Sequence, residues 1–443
     1  MEYTNDIRSI FLHAVKAVHP QELIRKNVQV NPVTRSIIIS GDEYLLPEHA
    51  RIWVLGAGKA AAAMARELET VLLPHFPLQG LIVTKYDHAL PLQQLPLMEA
   101  GHPVPDQQSV TATVKVQHLA AQVQPSDLVI LLLSGGASSL LADVPPGSSL
   151  EEVQQLFEAL LRSGADIHEM NTVRKHLSAV KGGQLARSLS AATLCVLVLS
   201  DVVGDDLSVI GSGPAMPDPS TFADTMNILE KYHLPEKIPA SLLHYIREGV
   251  AGRIPDTPKP GSDGFRHVHH YLAGTNRVAL EAAAVKAEEF GYYPLILSDM
   301  ITGDVNDVAN WLVQQTLNYT GPRPACLLAG GEPTVNVTGN GLGGRNQQLA
   351  LATGIALAAY PEVTFLSGGT DGSDGPTNAA GAIVNAHTIA AAESSGLNPA
   401  SFLQHHDAWH FFSKAGGLLI TGPTQTNVMD LMIVLIAENS GGI

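Results

Sequence analysis

The sequence predicts an α/β protein of two domains, and three observations carry that expectation. Short apolar runs recur along the chain, and each ends in glycines and small polar residues: Ile52-Trp-Val-Leu55 before Gly56-Ala-Gly58, Leu128–Leu133 before Ser134-Gly-Gly136, Cys326-Leu-Leu-Ala329 before Gly330-Gly-Glu332, and Thr364-Phe-Leu-Ser367 before Gly368-Gly369. Runs of that length bounded by turn residues read as strands buried on both faces, which is the pattern of a parallel sheet covered by helices. A stretch without periodicity and rich in Pro and Gly, Arg253 to Gly264, separates two such series. It divides the chain into domains 1–255 and 265–443.

A chain of 443 residues, 45% hydrophobic, supports two or three cores. No run of about 18 apolar residues occurs, and Met1-Glu-Tyr-Thr-Asn-Asp6 lacks a basic segment followed by an apolar one. The expectation is a cytoplasmic protein with no membrane partner. Cys195 and Cys326 each sit inside an apolar run, so buried free thiols are expected rather than a disulfide. The formal charge of −16 argues against nucleic acid, whose non-specific binding needs clustered Lys and Arg. Small anions remain open to it. An acidic chain that handles them must gather its cations locally or recruit a divalent metal.

In chain order, residues 7–26 carry apolar positions at helical spacing, and Val28–Val30 and Ser36–Ser40 read as strands of a lid or antiparallel addition without chemistry. Gly56 and Gly58 then open a G-x-G-x-x-A turn into an alanine-rich helix, close to the dinucleotide fingerprint. Two details weaken a nicotinamide reading. The next strand ends in Lys85 and Tyr86 with its acid delayed to Asp87, and Lys59 stands at the mouth of the helix. A cation there suits a phosphoryl group in transfer, the ordinary alternative being a solvated first-turn lysine.

Ser134, Gly135, Gly136, Ser138 and Ser139 form a second strand-to-helix turn of hydroxyls and glycines, a candidate anion cradle. No Walker-type G-x-x-x-x-G-K-[ST] and no protein-kinase H-R-D or D-F-G occurs. Asn171 to Gly183 reads as a helix capped by Asn171 and stopped at Gly182-Gly183, and Arg174, Lys175 and Lys181 concentrate charge on it. A solvated basic face is the alternative. Asp201, Asp205 and Asp206 follow a strand, with a fainter echo at Leu295 to Asp304, and Asp371 and Asp374 lie in a glycine loop. Such carboxylates suit Mg²⁺, although capping the next helix is the common use of any single aspartate. His267, His269 and His270 read as exposed strand residues rather than metal ligands.

Gly339-Asn-Gly-Leu-Gly-Gly-Arg-Asn346 is the richest candidate anion loop. Amides of Gly341, Gly343 and Gly344 can converge there, and Arg345 adds charge at a helix start; a tight helix lead-in is the alternative. In open α/β sheets ligands lie beyond the carboxyl ends of the strands, so these loops are expected to converge on one crevice.

Gly56-Ala-Gly-Lys59, Ser134-Gly-Gly136, Asn171 to Ser178 with Lys181-Gly-Gly183, Ser200-Asp-Val202 with Ser212-Gly-Pro214, Gly330-Gly-Glu-Pro-Thr334, Gly343-Gly-Arg-Asn346, Thr370-Asp-Gly372 and Asn427 together resemble the type-2 glycerate kinases, in order and over nearly the whole chain. The resemblance implies phosphorylation of D-glycerate by ATP, usually to 2-phosphoglycerate, with Mg²⁺. It also implies a cleft between a larger Rossmann-like N-terminal domain and a smaller C-terminal α/β module of MOFRL type. The family's lysine and arginine carry over as Lys59 and Arg345. With Asp201 they are the expected catalytic groups; Arg174, Lys175, Glu332 and Asn346 are expected at the substrate, and Asp201, Asp205, Asp371 and Asp374 at the metal. Gly56, Gly58, the Ser134–Ser139 turn and Gly341, Gly343 and Gly344 are expected to seat the nucleotide. The alternative, resting on Gly56, Gly58 and Ala61, is an NAD(P)H-dependent hydroxypyruvate reductase; some members of the family were once labelled so, and the name attached to a relative settles little. A homodimer is left open.

Overall fold

The computed structural model describes residues 2–438. The N-terminal helical pattern breaks at Pro20 into helices Glu2–Ala17 and Pro20–Asn27, because proline fits a first helical turn but not an interior. A three-stranded antiparallel meander follows: β1 (Val28–Asn31), β2 (Ser36–Ile39) and β3 (Asp42–Leu45).

The chain divides into two compact units. One comprises Leu23–Ser200 and Asp205–Ala273; the other comprises the residues up to Glu22, Asp201–Gly204 and everything from Gly274 onward. The expected boundary at 255–265 thus falls short of the observed one. The first unit keeps the Pro/Gly stretch, whose Pro258 carbonyl accepts from the Asp218 amide. Helix Glu2–Ala17 belongs to the second unit, where Tyr292 Oη donates to Asp6 at 2.8 Å.

The sheet of the first unit contains β4 (Ile52–Ala57), β5 (Leu78–Lys85), β6 (Leu97–Ala100), β7 (Leu128–Leu133), β8 (Thr193–Leu199) and β9 (Val268–Gly274), in the order β6-β5-β4-β7-β8-β9. All pairings from β6 through β8 are parallel. Every residue of β4 and β7 is buried, as their unbroken apolar runs require. Chain order reverses between these two strands, which brings the loops after Ala57 and Leu133 side by side at a topological switch point.

The sheet of the second unit contains β10 (Tyr293–Ile301), β11 (Ala325–Gly331), β12 (Val363–Gly369), β13 (Gly381–Asn385), β14 (Leu418–Leu419) and β15 (Asp430–Ile436), in the order β10-β11-β15-β12-β13-β14. This sheet is mixed. β15 lies between β11 and β12 and runs antiparallel to both, so its first residue, Asp430, pairs with their last, Gly331 and Gly369. A carboxylate is thereby delivered to the end of the sheet where the other strands deliver loops.

Cys195 and Cys326 are buried free thiols. No helix among the described residues is long and apolar enough to cross a membrane.

Asp127 fixes the opposite end of the β4–β7 pair. Its carboxylate, 1% exposed, accepts from Trp53 Nε1 at 2.8 Å, Gln124 N at 2.9 Å, and Arg51 N and Nη2 at 3.0 and 2.8 Å. Burial pushes its pKa up, but these donors outweigh burial and leave it below the ordinary aspartate value. Removing it strands a buried indole N–H and an arginine. Asp127→Ala is expected to lower the unfolding free energy in urea by about 3 kcal/mol. The wild-type advantage should shrink as pH falls, because a depressed carboxyl contributes its full stability above its unfolded pKa and loses it as pH drops through the lower folded value. A loss below about 1 kcal/mol would remove Asp127 as the anchor.

Candidate active site

At the switch point of the first unit the two turns lock together through their backbones. Lys59 N donates to Gly135 O at 2.9 Å, Ala60 N to Ser134 Oγ at 3.0 Å, and Ser134 N to Ala57 O at 3.1 Å. Gly58, with φ of +136°, lies so close to Ser134 that a Cβ would sit 2.1 Å from its Oγ. Glycine is required here for strand-to-strand approach, and an added Cβ at Gly56 would meet Ile82 at 2.9 Å. The expected nucleotide roles of Gly56, Gly58, Ser134 and Gly135 therefore meet internal demands on the same atoms. Ser139 Oγ likewise donates to Pro103 O at 2.7 Å.

The lysine side chain emerges above this lock, its Cγ 3.5 Å from where a Cβ on Gly136 would lie, and it enters no ion pair among the described residues. Burial first, then Lys59 and Lys85, pushes His102 down to about 4. The mouth of the β4–β7 pair is therefore electropositive in a chain of net charge −16.

The basic segment departs from its expected form. Its helix is Ile167–His176, capped by Asp166, whose carboxylate accepts from Glu169 N. Asn171 is internal to it. Gly182 and Gly183 belong to a turn that hydrogen-bonds to the Ser212 and Gly213 carbonyls. The cations do not form a solvated face: Lys175 is buried with its Nζ 3.5 Å from Asp218, and Lys181 Nζ donates to Leu141 O at 2.5 Å. The amine of Lys175, expected at the substrate, is thus turned to an internal carboxylate. Arg174 Nη1 donates to Asn171 Oδ1 at 2.9 Å, and the guanidinium lies 4.9 Å from the Phe157 ring centre.

In the second unit, Arg345 starts helix Arg345–Ala356. Its Nε and Nη2 donate to Asp430 at 2.6 and 3.1 Å, and Nη1 to Glu332 at 2.7 Å. Asp430 is 1% exposed and Arg345 32%. Burial works against the guanidinium's charge, but Asp430 and Glu332 outweigh it and raise its pKa. Burial also pushes Asp430 up to about 6, against the pull of Arg345. Glu332, 44% exposed, holds the outer edge of the fork. The main residue missed by sequence is Asp430. Its only signal was an acid placed directly before the apolar run Leu431–Ile436.

The glycine-rich loop is not an open cradle. Gly341 N donates to His405 O at 3.0 Å and Leu342 N to Asp407 at 2.9 Å, and a Cβ on Gly341 would lie 2.5 Å from Asp407. Gly343 and Gly344 lie against Ala408 and Asp374. Gly341 lets the loop pack on the 405–409 segment and its amide is used there, so of the three glycines expected to seat phosphates it is the one whose N–H is already taken among the described residues. Asn346 is buried and accepts from Ser367 Oγ at 2.6 Å.

Asp374 takes the helix-capping role: it accepts from Asn346 N, Gln347 N and Gln347 Nε2 at 3.0, 2.8 and 2.9 Å and is 2% exposed. The expected metal role at Asp374 gives way to this cap. Asp371 differs, using only Oδ1, which accepts from Ser373. Asp201 falls in the second unit, its Oδ2 3.5 Å from Asn427 Nδ2, while Asp205, with φ of +53°, falls in the first. No group of three or more metal-ligating side chains occurs among the described residues.

Known proteins match this chain over nearly its full length. A family model described as a domain of unknown function (DUF4147) matches residues 6–247, and the MOFRL family model matches residues 325–430. A glycerate 2-kinase of Pyrococcus horikoshii is 37% identical across 98% of this chain and 99% of its own. The chain belongs to the type-2 glycerate kinase family. A D-glycerate 2-kinase of Thermotoga maritima is 42% identical across 87% of this chain and 91% of its own. The crystal structure of a glycerate kinase from that organism superposes with a TM-score of 0.87 at 38% identity, covering 98% of this chain and 100% of that one. In this type-2 glycerate kinase, the DUF4147 match lies mostly in the first unit and the MOFRL match wholly in the second.

If Asp374 caps, its loss should not depend on metal. Asp374→Ala is expected to cost about 2 kcal/mol of unfolding free energy, equally in EDTA and in MgCl₂. A cost appearing only with Mg²⁺ would restore the metal role.

Proposed function

We propose that this chain transfers the γ-phosphoryl group of ATP to D-glycerate, giving 2-phosphoglycerate and ADP. The observation that carries this reading is Lys59, a cation without an ion pair among the described residues, standing at the switch point where the β4 and β7 turns meet. Phosphoryl transfer asks a protein for position and charge neutralisation more than for covalent chemistry. Lys59 supplies a compact mobile charge. Arg345, gripped from behind by Asp430, supplies a directed fork whose outer edge is covered by a half-exposed carboxylate, Glu332, able to swing aside for an incoming anion.

Mg²⁺ supplies charge neutralisation at the nucleotide phosphates when bound. It keeps phosphate and water ligands and asks little of the protein. Asp371, half-buried with Oδ2 in no hydrogen bond among the described residues, suits it, and Asp201 and Asp205 are the other candidates. The nicotinamide alternative is disfavoured. β5 ends in Lys85 where a ribose-binding acid is wanted, and the Asp87 amide is turned to Glu99 at 2.8 Å.

Phosphorus NMR after incubation with ATP, MgCl₂ and D-glycerate should reveal 2-phosphoglycerate. Oxidation of NADH or NADPH by hydroxypyruvate, with no ADP formed from D-glycerate, would overturn the reading. Lys59→Ala and Arg345→Ala are each expected to retain the wild-type circular dichroism and lose roughly 10³-fold in kcat. Near-normal rates in both would remove these residues from the chemistry.

The clamp also predicts a pH profile. It needs Asp430 as an anion, so kcat should fall as pH drops through about 6. The stability linked to this group runs the other way: a carboxyl raised above its unfolded pKa stabilises the fold at low pH and loses that contribution as pH rises through the folded value. A kcat that stays flat from about pH 7 to pH 5 would remove the clamp.

A further inference from the structure

Arg174 carries a charge that nothing in its unit neutralises. Burial lowers its pKa, and no opposing carboxylate contributes. It enters no ion pair among the described residues, in contrast to Lys175 on Asp218 and Lys181 beside Asp143. Its sole hydrogen bond among them uses one of five N–H groups, and the others are not sealed from solvent. Lys181 is close enough to repel it: burial first pushes that amine down to about 8, with Arg174 adding to the effect and Asp143 opposing it. The one carboxylate beside this pair of cations, Asp143, is 3.8 Å from Lys181 and already accepts from Ser178 Oγ at 2.6 Å and from the Ala179 amide. Buried or half-buried charge is normally matched, so one negative charge is missing here.

A line of polar groups leads from Arg174 toward Lys59. Asn171 Oδ1 accepts from both Arg174 Nη1 and Ser212 Oγ, each at 2.9 Å, and Ser212 Oγ lies 2.7 Å from Ser138 Oγ. Ser138 stands two residues past Gly136, over which the Lys59 side chain lies. Two cations thus stand at the ends of a run of amide and hydroxyl groups that contains no carboxylate. Ser212 is held for this: it has φ of +59° and closes a turn in which Gly211 and Gly213 are also left-handed. Asn171, internal to its helix, spends its side chain on this line instead of on a cap.

We propose that Arg174, backed by Lys181 and oriented by Asn171, is the seat of one reactant oxyanion, a carboxylate or phosphate group, with the Ser212 and Ser138 hydroxyls beside it. A planar fork with free N–H groups is suited to bidentate capture of either. The two sources are the carboxylate of the acceptor acid and a phosphate of the nucleotide. The seat rests on the kinase reading only for this choice of reactants.

Isothermal titration of the whole chain with D-glycerate alone, with ADP alone and with inorganic phosphate alone separates these cases without turnover. In Arg174→Gln, affinity for one of D-glycerate and ADP should fall about tenfold or more while the other is unchanged. Loss for D-glycerate assigns the carboxylate, and loss for ADP with inorganic phosphate assigns the nucleotide. Arg174→Lys keeps the charge without the fork and should recover part of the lost affinity. That conservative variant keeps the test decisive if the glutamine variant unfolds, since a fork-dependent seat still predicts a several-fold loss in it. All three titrations at wild-type strength in a folded variant would overturn the seat. Wild-type chain that binds D-glycerate but never forms ADP would instead overturn the kinase reading and leave the seat standing.

Discussion

The contact between Asp430 and Arg345 sets what the second unit can do. An arginine fork is useful to a substrate only if its plane and reach are fixed, and the bidentate grip on Nε and Nη2 leaves Nη1 as the edge that faces outward. Asp430 is itself held: its backbone pairs with the ends of β11 and β12, and Asn276 Nδ2 donates to its carbonyl at 3.0 Å and to that of Val428 at 2.8 Å. A buried ion pair of this kind is a poor way to gain stability, because desolvation costs about as much as the attraction returns. Its value here is directional. The unit accepts a carboxylate pushed up to about 6 in order to aim a cation.

The first unit aims its cation by other means. Among the described residues Lys59 is in no ion pair with a carboxylate, and its backbone is tied to the neighbouring turn. The two solutions suit two kinds of charge, a mobile ammonium that can follow a migrating phosphoryl group and a rigid fork that can hold an anion still. Both depend on glycines used for packing. Gly58 admits Ser134 and Gly341 admits the His405–Asp407 backbone, so at these two positions the loops also serve as joints between segments.

The same economy governs the aspartates. Asp374, Asp127 and Asp166 spend their oxygens on helix caps and buried donors, whereas Asp371 keeps one oxygen out of every hydrogen bond among the described residues. In sequence they are alike, each a carboxylate beside small or polar residues. Their chemistry is assigned by what surrounds them.

By itself the sequence determined the strand-and-loop rhythm, the burial of both thiols, the placing of Lys59 at a strand-to-helix turn and the family. These follow from local pattern: apolar runs bury themselves, glycines turn, and a motif series in order over a whole chain is specific. Only the tertiary structure decided that the final strand enters the middle of its sheet reversed, that Asp430 reaches back 85 residues to hold Arg345, and that Asp374 reaches 28 to cap the same helix. It also decided that Lys175 is spent on Asp218 while Arg174 is not neutralised. The physical reason is that hydrogen-bond and charge saturation is a property of neighbours in space. A side chain's type says what it can bind, and only the fold says whether that capacity has already been used.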